Sequence, residues 1–345
     1  MVLGACGAKT TTVTSTTSTT STTTTILEPI VWKAATTTPA MSPPGTALTT
    51  LGEKIAEETG GRLTFQIYYT SSLFEAKEAL RSMESGVGQI SDFWPSAMPG
   101  IFPLNEVFSL PGLGWPDLYT STEILNEVWN NSPALRAEYG DLIMYGAAAV
   151  NPPTIIHSST KLLRTMEDLE GYLILGSNQA TAEFFEALGA TAVFIPYEDT
   201  YLSWDKGIIE GAASTFGWMQ GAGVMDIATY HTVMGTTLIG GKQDLVINRD
   251  AWNALPTDIQ QIITDLEAWY KEFRTTMEVE ADQKGIAYCE ENGHEFYELP
   301  PAELERWLAA AKPIHEAWIA GKEAQGIQGA REVYDLLVAT IEKYK

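Results

Sequence analysis

The chain has 345 residues, 45% of them hydrophobic, and a formal net charge of -23. That length is too great for one compact core and suits two lobes, while the charge repels nucleic acid and anionic lipid surfaces, with no Lys/Arg patch to offset it. Two cysteines, Cys6 and Cys289, exclude a disulfide framework and a Cys-rich metal site.

The chain opens with Leu3-Gly4-Ala5-Cys6, then an almost pure Thr/Ser run from Thr10 to Thr25. The tetrad resembles a bacterial lipobox, which implies a diacylglycerol on the Cys6 thiol. Only Met1 to Ala5 precede it, so the basic and apolar regions of a secretory signal are expected upstream. The Thr/Ser run has no apolar group to bury and reads as a solvated leash, residues 1–28 in all. Beyond Cys6 no apolar stretch reaches the roughly 20 residues that span a bilayer. The expectation is a soluble head, extracytoplasmic and tied to a membrane only by lipid. Cys289 is left without a partner and reads as a packed thiol.

Residues 30–36 predict a buried strand, 37–45 a Pro/Thr turn and 46–59 a helix stopped by Gly60-Gly61. Leu63 to Tyr69 alternates as a strand. Glu75 to Ser85 reads as a helix, and Gln89 to Trp94 as a strand ending at Pro95. This β-α-β-α-β start argues for a parallel sheet with right-handed crossovers. Leu142 to Val150 is another strand, and Asn151-Pro152-Pro153 marks a crossing between lobes. A second α/β set follows: strands at 154–158, 173–175, 192–195 and 211–216, with helices at 179–188 and 197–206. Asp244 to Ile247 reads as a strand returning to the first lobe. Asp250 to Asn292 reads as one long helix with Pro256 near its start, long enough to run past one lobe. Pro301 to Tyr344 is helical, with breaks expected near Pro313 and Gly326.

Enzyme chemistry has no foothold in these residues. No Gly-x-Ser-x-Gly elbow, phosphate-cradling Gly-rich loop or His-Glu-x-x-His occurs. The four histidines, His157, His231, His294 and His315, are scattered without ligand spacing, so neither metal nor cofactor is expected. The acidic pairs Glu57-Glu58 and Glu290-Glu291 read as solvated helix faces.

Asp168-Leu169-Glu170-Gly171 precedes a short strand. Leu188-Gly189-Ala190, Asp199-Thr200-Tyr201 and the turn Lys206 to Gly211 follow in order. Gly86 to Ile90, Leu110-Pro111, Val246 to Pro256 and the stretch around Trp318 add further matches. This series resembles the DctP-type substrate-binding proteins of TRAP transporters over about residues 30–340. The resemblance implies an α/β fold of the periplasmic-binding-protein type. In it two lobes are joined by a hinge of crossing strands and a long spine helix, and a small ligand closes between them. It implies a TRAP membrane permease as partner and an organic acid as ligand. The expected division puts 29–151 plus about 240–280 in lobe I, and 152–239 plus about 281–345 in lobe II.

One departure bears on the ligand. The resemblance implies that most relatives carry an arginine in the strand after the segment matching Asp168 to Gly171, where its planar fork grips a carboxylate. Here that slot falls on Ile174 or Leu175. Lys161 and Arg164 lie upstream and are not read as substitutes. Burying a carboxylate without a cation or several donors costs several kcal/mol. Ser177 and Asn178 follow the slot and start a helix whose N–H groups are an anion-holding alternative; the plain reading is a helix cap. Phe93 and Trp94 end a strand in the first lobe, and Phe216 and Trp218 hold the equivalent place in the second. Strand C-terminal ends form the crevice of open α/β sheets. Each aromatic reads either as core or as cleft lining, and the matched placement favours the cleft. Asn151 is a polar candidate at the crossing. A neutral or aromatic ligand therefore stands beside the organic acid. A secreted α/β enzyme and a sensory receptor of the same fold are the competing functions.

Overall fold

The structure, a computed structural model, describes residues 10–12, 25–98, 100–149, 154–235 and 237–344. Cys6, most of the Thr/Ser run and Asn151 lie outside them. Within the tail, β1 (Thr10–Thr12) pairs antiparallel with β2 (Thr25–Leu27). The segment read as irregular throughout thus carries one short ladder. Its β-branched threonines favour an extended backbone even where no core can form.

Lobe I begins with β3 (Ile30–Ala35), α1 (Pro43–Glu58), β4 (Leu63–Tyr68), α2 (Ala79–Glu84) and β5 (Ile90–Phe93). β3 runs parallel to β4 and β5, as the β-α-β-α-β pattern requires. α1 starts at Pro43, earlier than its periodicity suggests. Ser42 Oγ accepts the Gly45 N–H at 3.2 Å, and prolines fit a first turn whose N–H groups have no helical partner. Next come β6 (Pro111–Trp115), α3 (Leu118–Asn131), α4 (Pro133–Ala137) and β7 (Ile143–Ala149).

Lobe II contains β8 (Ile155–Ser158), β9 (Leu173–Leu175), α5 (Gln179–Ala187), β10 (Thr191–Val193), α6 (Thr200–Asp205), β11 (Gly211–Ser214), α7 (Phe216–Ala222) and β12 (Tyr230–Val233). α7 replaces the expected end of a strand. Thr215 Oγ1 accepts the Trp218 N–H at 3.0 Å and turns the chain into a helix. The chain then recrosses: β13 (Thr237–Ile239) pairs with β6, and β14 (Lys242–Ile247) inserts antiparallel between β5 and β7. After α8 (Arg249–Asn253) come α9 (Thr257–Glu291), β15 (Glu295–Glu298), α10 (Pro301–Ala324) and α11 (Ala330–Lys343). The lobe I sheet has the order β4-β3-β5-β14-β7, and the lobe II sheet β10-β9-β11-β8-β12-β15.

Pro256 separates α8 from α9, so the long helix read as nearly continuous is two. Pro313, expected to break the last helical stretch, lies inside α10, and the break falls between α10 and α11. α9 has 35 residues, about 52 Å at 1.5 Å per residue. It packs on α1, α3 and β7 in lobe I and on α7 in lobe II, so it is the spine the sequence predicts. Gly285 makes that second contact close: a Cβ there would lie 2.2 Å from Phe216 Cβ.

Each sheet is covered on both faces. In lobe I, Phe93 and Val246 face one core with Leu125, Val128 and Trp129. Leu245 and Ile247 face the other, with Leu51, Ile259 and Ile263. α11 joins the first of these through Val333, Leu337 and Ile341. Of the stretch from about 281 to 345 expected in lobe II, α10 packs through Trp307 and Ala311 on a lobe II core, while α11 packs on lobe I. The amphipathic stripe of α11 is plain in the sequence; the lobe it would cover is not.

Candidate functional site

A cavity of about 230 Å³ opens between the ends of β5 and β9. Ser96, Glu106 and Ser109 line it from lobe I, Asn178 and Glu183 from lobe II, and Trp318 and Lys322 from α10. Lys322 is paired with Glu106 at 2.5 Å, so its charge is already matched.

α9 contributes a polar face where it passes between the lobes. Arg274, Glu278 and Asp282 recur every four residues and so share one side. Arg274 Nε and Nη2 donate to Gln243 Oε1 at 2.9 and 2.6 Å, and Nη2 also donates to Glu278 Oε1 at 2.6 Å. Gln243 Nε2 donates to Asp92 Oδ2 at 2.6 Å, and Thr36 Oγ1 donates to the same oxygen at 2.9 Å. On the other side, Asp282 Oδ1 accepts the Phe216 N–H at 2.8 Å. A side chain at Gly217 would come within 3.8 Å of both Glu278 Oε2 and Pro43. The trio therefore links the strand ends of lobe I to the start of α7 in lobe II. Arg274 is 1% exposed, and its Nη1 has no hydrogen-bond partner among the described residues.

Burial sets the charge of this floor. It pushes the Asp92 carboxyl up to about 6, against the opposing pull of its hydrogen bonds and of Arg274. Burial likewise pushes Asp282 up to about 7; the Phe216 N–H opposes this and the Glu278 charge adds to it. An acid with a raised native pKa binds its proton more tightly when folded. Its contribution to stability is therefore full below the unfolded pKa and is lost as pH rises through the folded value. The melting midpoint should fall between about pH 4 and pH 7, and Asp282→Asn, which keeps the acceptor for Phe216, should flatten that fall. A midpoint profile of the variant superimposable on the parent's would show that Asp282 is not held protonated.

Lobe II presents partly exposed aromatic side chains, an aromatic wall. Phe194, 59% exposed, packs against Gly176 just past β9. Tyr197 is exposed and meets the half-buried Trp218 edge-on, ring centroids 5.9 Å apart.

The residues expected from the sequence divide unevenly. Trp218 belongs to the wall, and Trp94 is half-buried just past β5. Phe93 and Phe216 have no exposed surface: Phe93 packs on Phe102 and Tyr139, Phe216 on His157, His231 and Phe296. Leu175 points into the core with Ile155 and Trp204. These three face packed cores: Phe93 and Leu175 by alternation along their strands, and Phe216 as the first residue of α7. Ser177 is exposed, and Asn178 caps α5, its Oδ1 accepting the Thr181 N–H at 2.9 Å. The cap and the cavity positions thus coincide in Asn178. Arg274, Gln243, Phe194 and Tyr197 were not anticipated. An arginine four residues before a glutamate reads as a surface pair on a helix, and nothing local reveals that it is buried. The histidines, scattered in sequence, do not stay apart: His157, His231 and His294 meet in lobe II.

Residues 34–322 match the family model described as bacterial extracellular solute-binding protein, family 7. The chain belongs to this family. Its relatives include the C4-dicarboxylate-binding periplasmic protein DctP of Rhodobacter capsulatus, 21% identical over 84% of this chain and 87% of that one. A TRAP solute-binding protein from Rhodoferax ferrireducens, solved with copurified benzoate, superposes with a TM-score of 0.80 at 22% identity, covering 91% of this chain and 98% of that one. A marine metagenome TRAP solute-binding protein specific for aromatic acid ligands, solved with 3-hydroxybenzoate, gives 0.83 at 20% identity, covering 92% and 99%. The two-lobe fold of these TRAP solute-binding proteins is the fold of this chain. As a family 7 protein it is an extracytoplasmic solute receptor of the TRAP type for a small organic ligand, in a family of receptors rather than enzymes. No described helix is long and apolar enough to cross a membrane.

Proposed function

We propose that this receptor captures a small organic acid with one carboxylate and an apolar or aromatic body, and delivers it to a TRAP permease. The observation that carries the reading is Arg274: a buried guanidinium between the lobes with one nitrogen uncommitted. The arginine slot of the second lobe, at Ile174 or Leu175, carries no charge, which leaves Arg274 as the candidate cation. With Nε and Nη2 engaged, it offers a carboxylate one nitrogen rather than a fork, and Glu278 already offsets much of its charge. A second carboxylate beside Arg274 would meet the Glu278 carboxylate, so dicarboxylates are disfavoured. Phe194, Tyr197 and Trp218 supply ring faces and edges for the apolar body.

A thermal-shift screen of aromatic monocarboxylates, their amides and C4-dicarboxylates tests this. The monocarboxylates should raise the melting midpoint saturably without turnover. Trp218→Ala should weaken them by roughly tenfold or more, about 1.4 kcal/mol, with little loss of stability. A response confined to dicarboxylates, or turnover of the bound compound, would overturn the assignment.

The leash and Cys6 fit a lipid-held receptor working close to its permease. Cys6→Ser in cells should move the protein from the membrane fraction to the soluble one; an unchanged distribution would remove the anchor.

A further inference from the structure

Lobe II holds three donor side chains that the ligand cleft does not use. His231 stands on β12, Cys289 in the last turn of α9, and His294 in the turn before β15. One donor atom from each lies within 4.8 Å of the other two. His231 Nε2 and His294 Nδ1 are 3.0 Å apart. His231 and Cys289 are fully buried, and His294 is half-buried at the protein surface.

A fourth side chain fixes which nitrogen is available. The Ser214 carbonyl can only accept, so its 3.2 Å contact makes His157 Nε2 the protonated nitrogen. In a neutral ring that leaves His157 Nδ1 as an acceptor. His231 Nδ1 faces it at 2.9 Å and is therefore the donor. His231 Nε2 then presents a lone pair toward His294 and Cys289. Metal-bound histidines are held this way: the ring nitrogen away from the ion donates to a fixed partner, which sets tautomer and aim.

We propose that His231, Cys289 and His294 form a binding site for one divalent transition-metal ion of the zinc class. Tetrahedral ligation at about 2.0 Å per nitrogen puts two ligand nitrogens roughly 3.3 Å apart, close to the 3.0 Å seen between the rings. The sulfur lies within 4.8 Å of both ring nitrogens, and the turn carrying His294 can bring that ring closer. One thiolate and two imidazoles suit zinc, cobalt or copper and reject calcium and magnesium, which need oxygen ligands. The Cys289 thiol gives up its proton to solvent as the metal–sulfur bond forms. The fourth position opens toward solvent beside His294. The ion would tie the end of α9 to β12 and β15, next to Phe216, on which His231 packs.

The test uses the full chain stripped with a chelator and titrated with Zn2+ and with Co2+. The parent should take up one equivalent with a saturable rise in melting midpoint. Its Co2+ form should show the intense visible bands of a tetrahedral site and a thiolate-to-cobalt charge-transfer band. His294→Ala changes a half-exposed turn residue and should fold, yet it should lose both the midpoint rise and the tetrahedral spectrum. Cys289→Ala should lose the charge-transfer band. Equal uptake by the parent and His294→Ala, or no uptake by the parent at stoichiometric metal, overturns the site.

Discussion

Replacing Arg274 with Met should remove the proposed preference for an acid over its neutral amide. A hydrogen bond to a charged group contributes about 1.5–3 kcal/mol, so the acid should lose roughly 10- to 100-fold in affinity while the amide changes little. The single variant has a second effect. It leaves Glu278 buried without its cation and deprives Gln243 Oε1 of both donors. Breaking a buried pair from one side costs about 3–5 kcal/mol. It also removes a positive charge that holds Asp92 down, so that carboxyl should move further up. The double variant Arg274→Met with Glu278→Met separates binding from stability. Removing both charges should restore part of the stability, though not all, since Gln243 is still without donors. The acid preference should stay lost. A double variant that folds well and still favours the acid by the parent's ratio would show that another group holds the carboxylate.

The largest effect on folding is expected from Lys242→Met. Lys242 is 3% exposed in the lobe I core, and its Nζ donates to Asn105 Oδ1 at 2.8 Å, Tyr139 Oη at 3.2 Å and Asp244 Oδ2 at 3.0 Å. It also lies over the rings of Trp129, Phe108 and Tyr139, at 4.7 Å from the first and 5.2 Å from the others. Burial lowers the Lys242 pKa and raises that of Asp244, and each charge partly offsets the cost of the other. Without the ammonium, Asp244 keeps only the Tyr139 hydroxyl. A loss of about 3–5 kcal/mol is expected, roughly 2–4 °C per kcal/mol for a lobe of 150–250 residues. The sign of its pH dependence follows. With Lys242 gone the native pKa of Asp244 should rise further, so the deficit should be full at neutral pH and shrink as acid protonates Asp244. Adding Asp244→Leu should recover most of the loss. A Lys242→Met protein melting within a degree of the parent would mean that the pair is idle.

The sequence foretold the architecture better than the site. Strands such as Ile30–Ala35 and Leu63–Tyr68 carry their own pattern, and Gly60-Gly61 marks its own turn. The order of motifs from Asp168 to Pro256 named the family. α7 was missed because Phe216 to Ala222 has the composition of a strand end, and one threonine side chain makes it a helix. The candidate site is harder to read for a different reason. Whether Phe93 or Trp94 faces a cleft depends on which face of a sheet is covered, and the covering helices α3 and α11 come from distant parts of the chain. Arg274 and Gln243 lie 31 residues apart, and each is ordinary in its own neighbourhood. Only the packing of α9 against β14 makes them one group.

β14 carries an obligation that neither network has alone. Successive residues of a strand face opposite sides, so Lys242 and Asp244 anchor the lobe I core while Gln243 between them holds Arg274 under the cleft. On the proposed function, a change of ligand can be explored at the exposed Phe194 and Tyr197 without disturbing a folded core. At Lys242–Asp244 the same drift would slip or reorient a strand that serves both purposes. Selection for new cargo should therefore leave this tripeptide alone and write its variation into the aromatic wall.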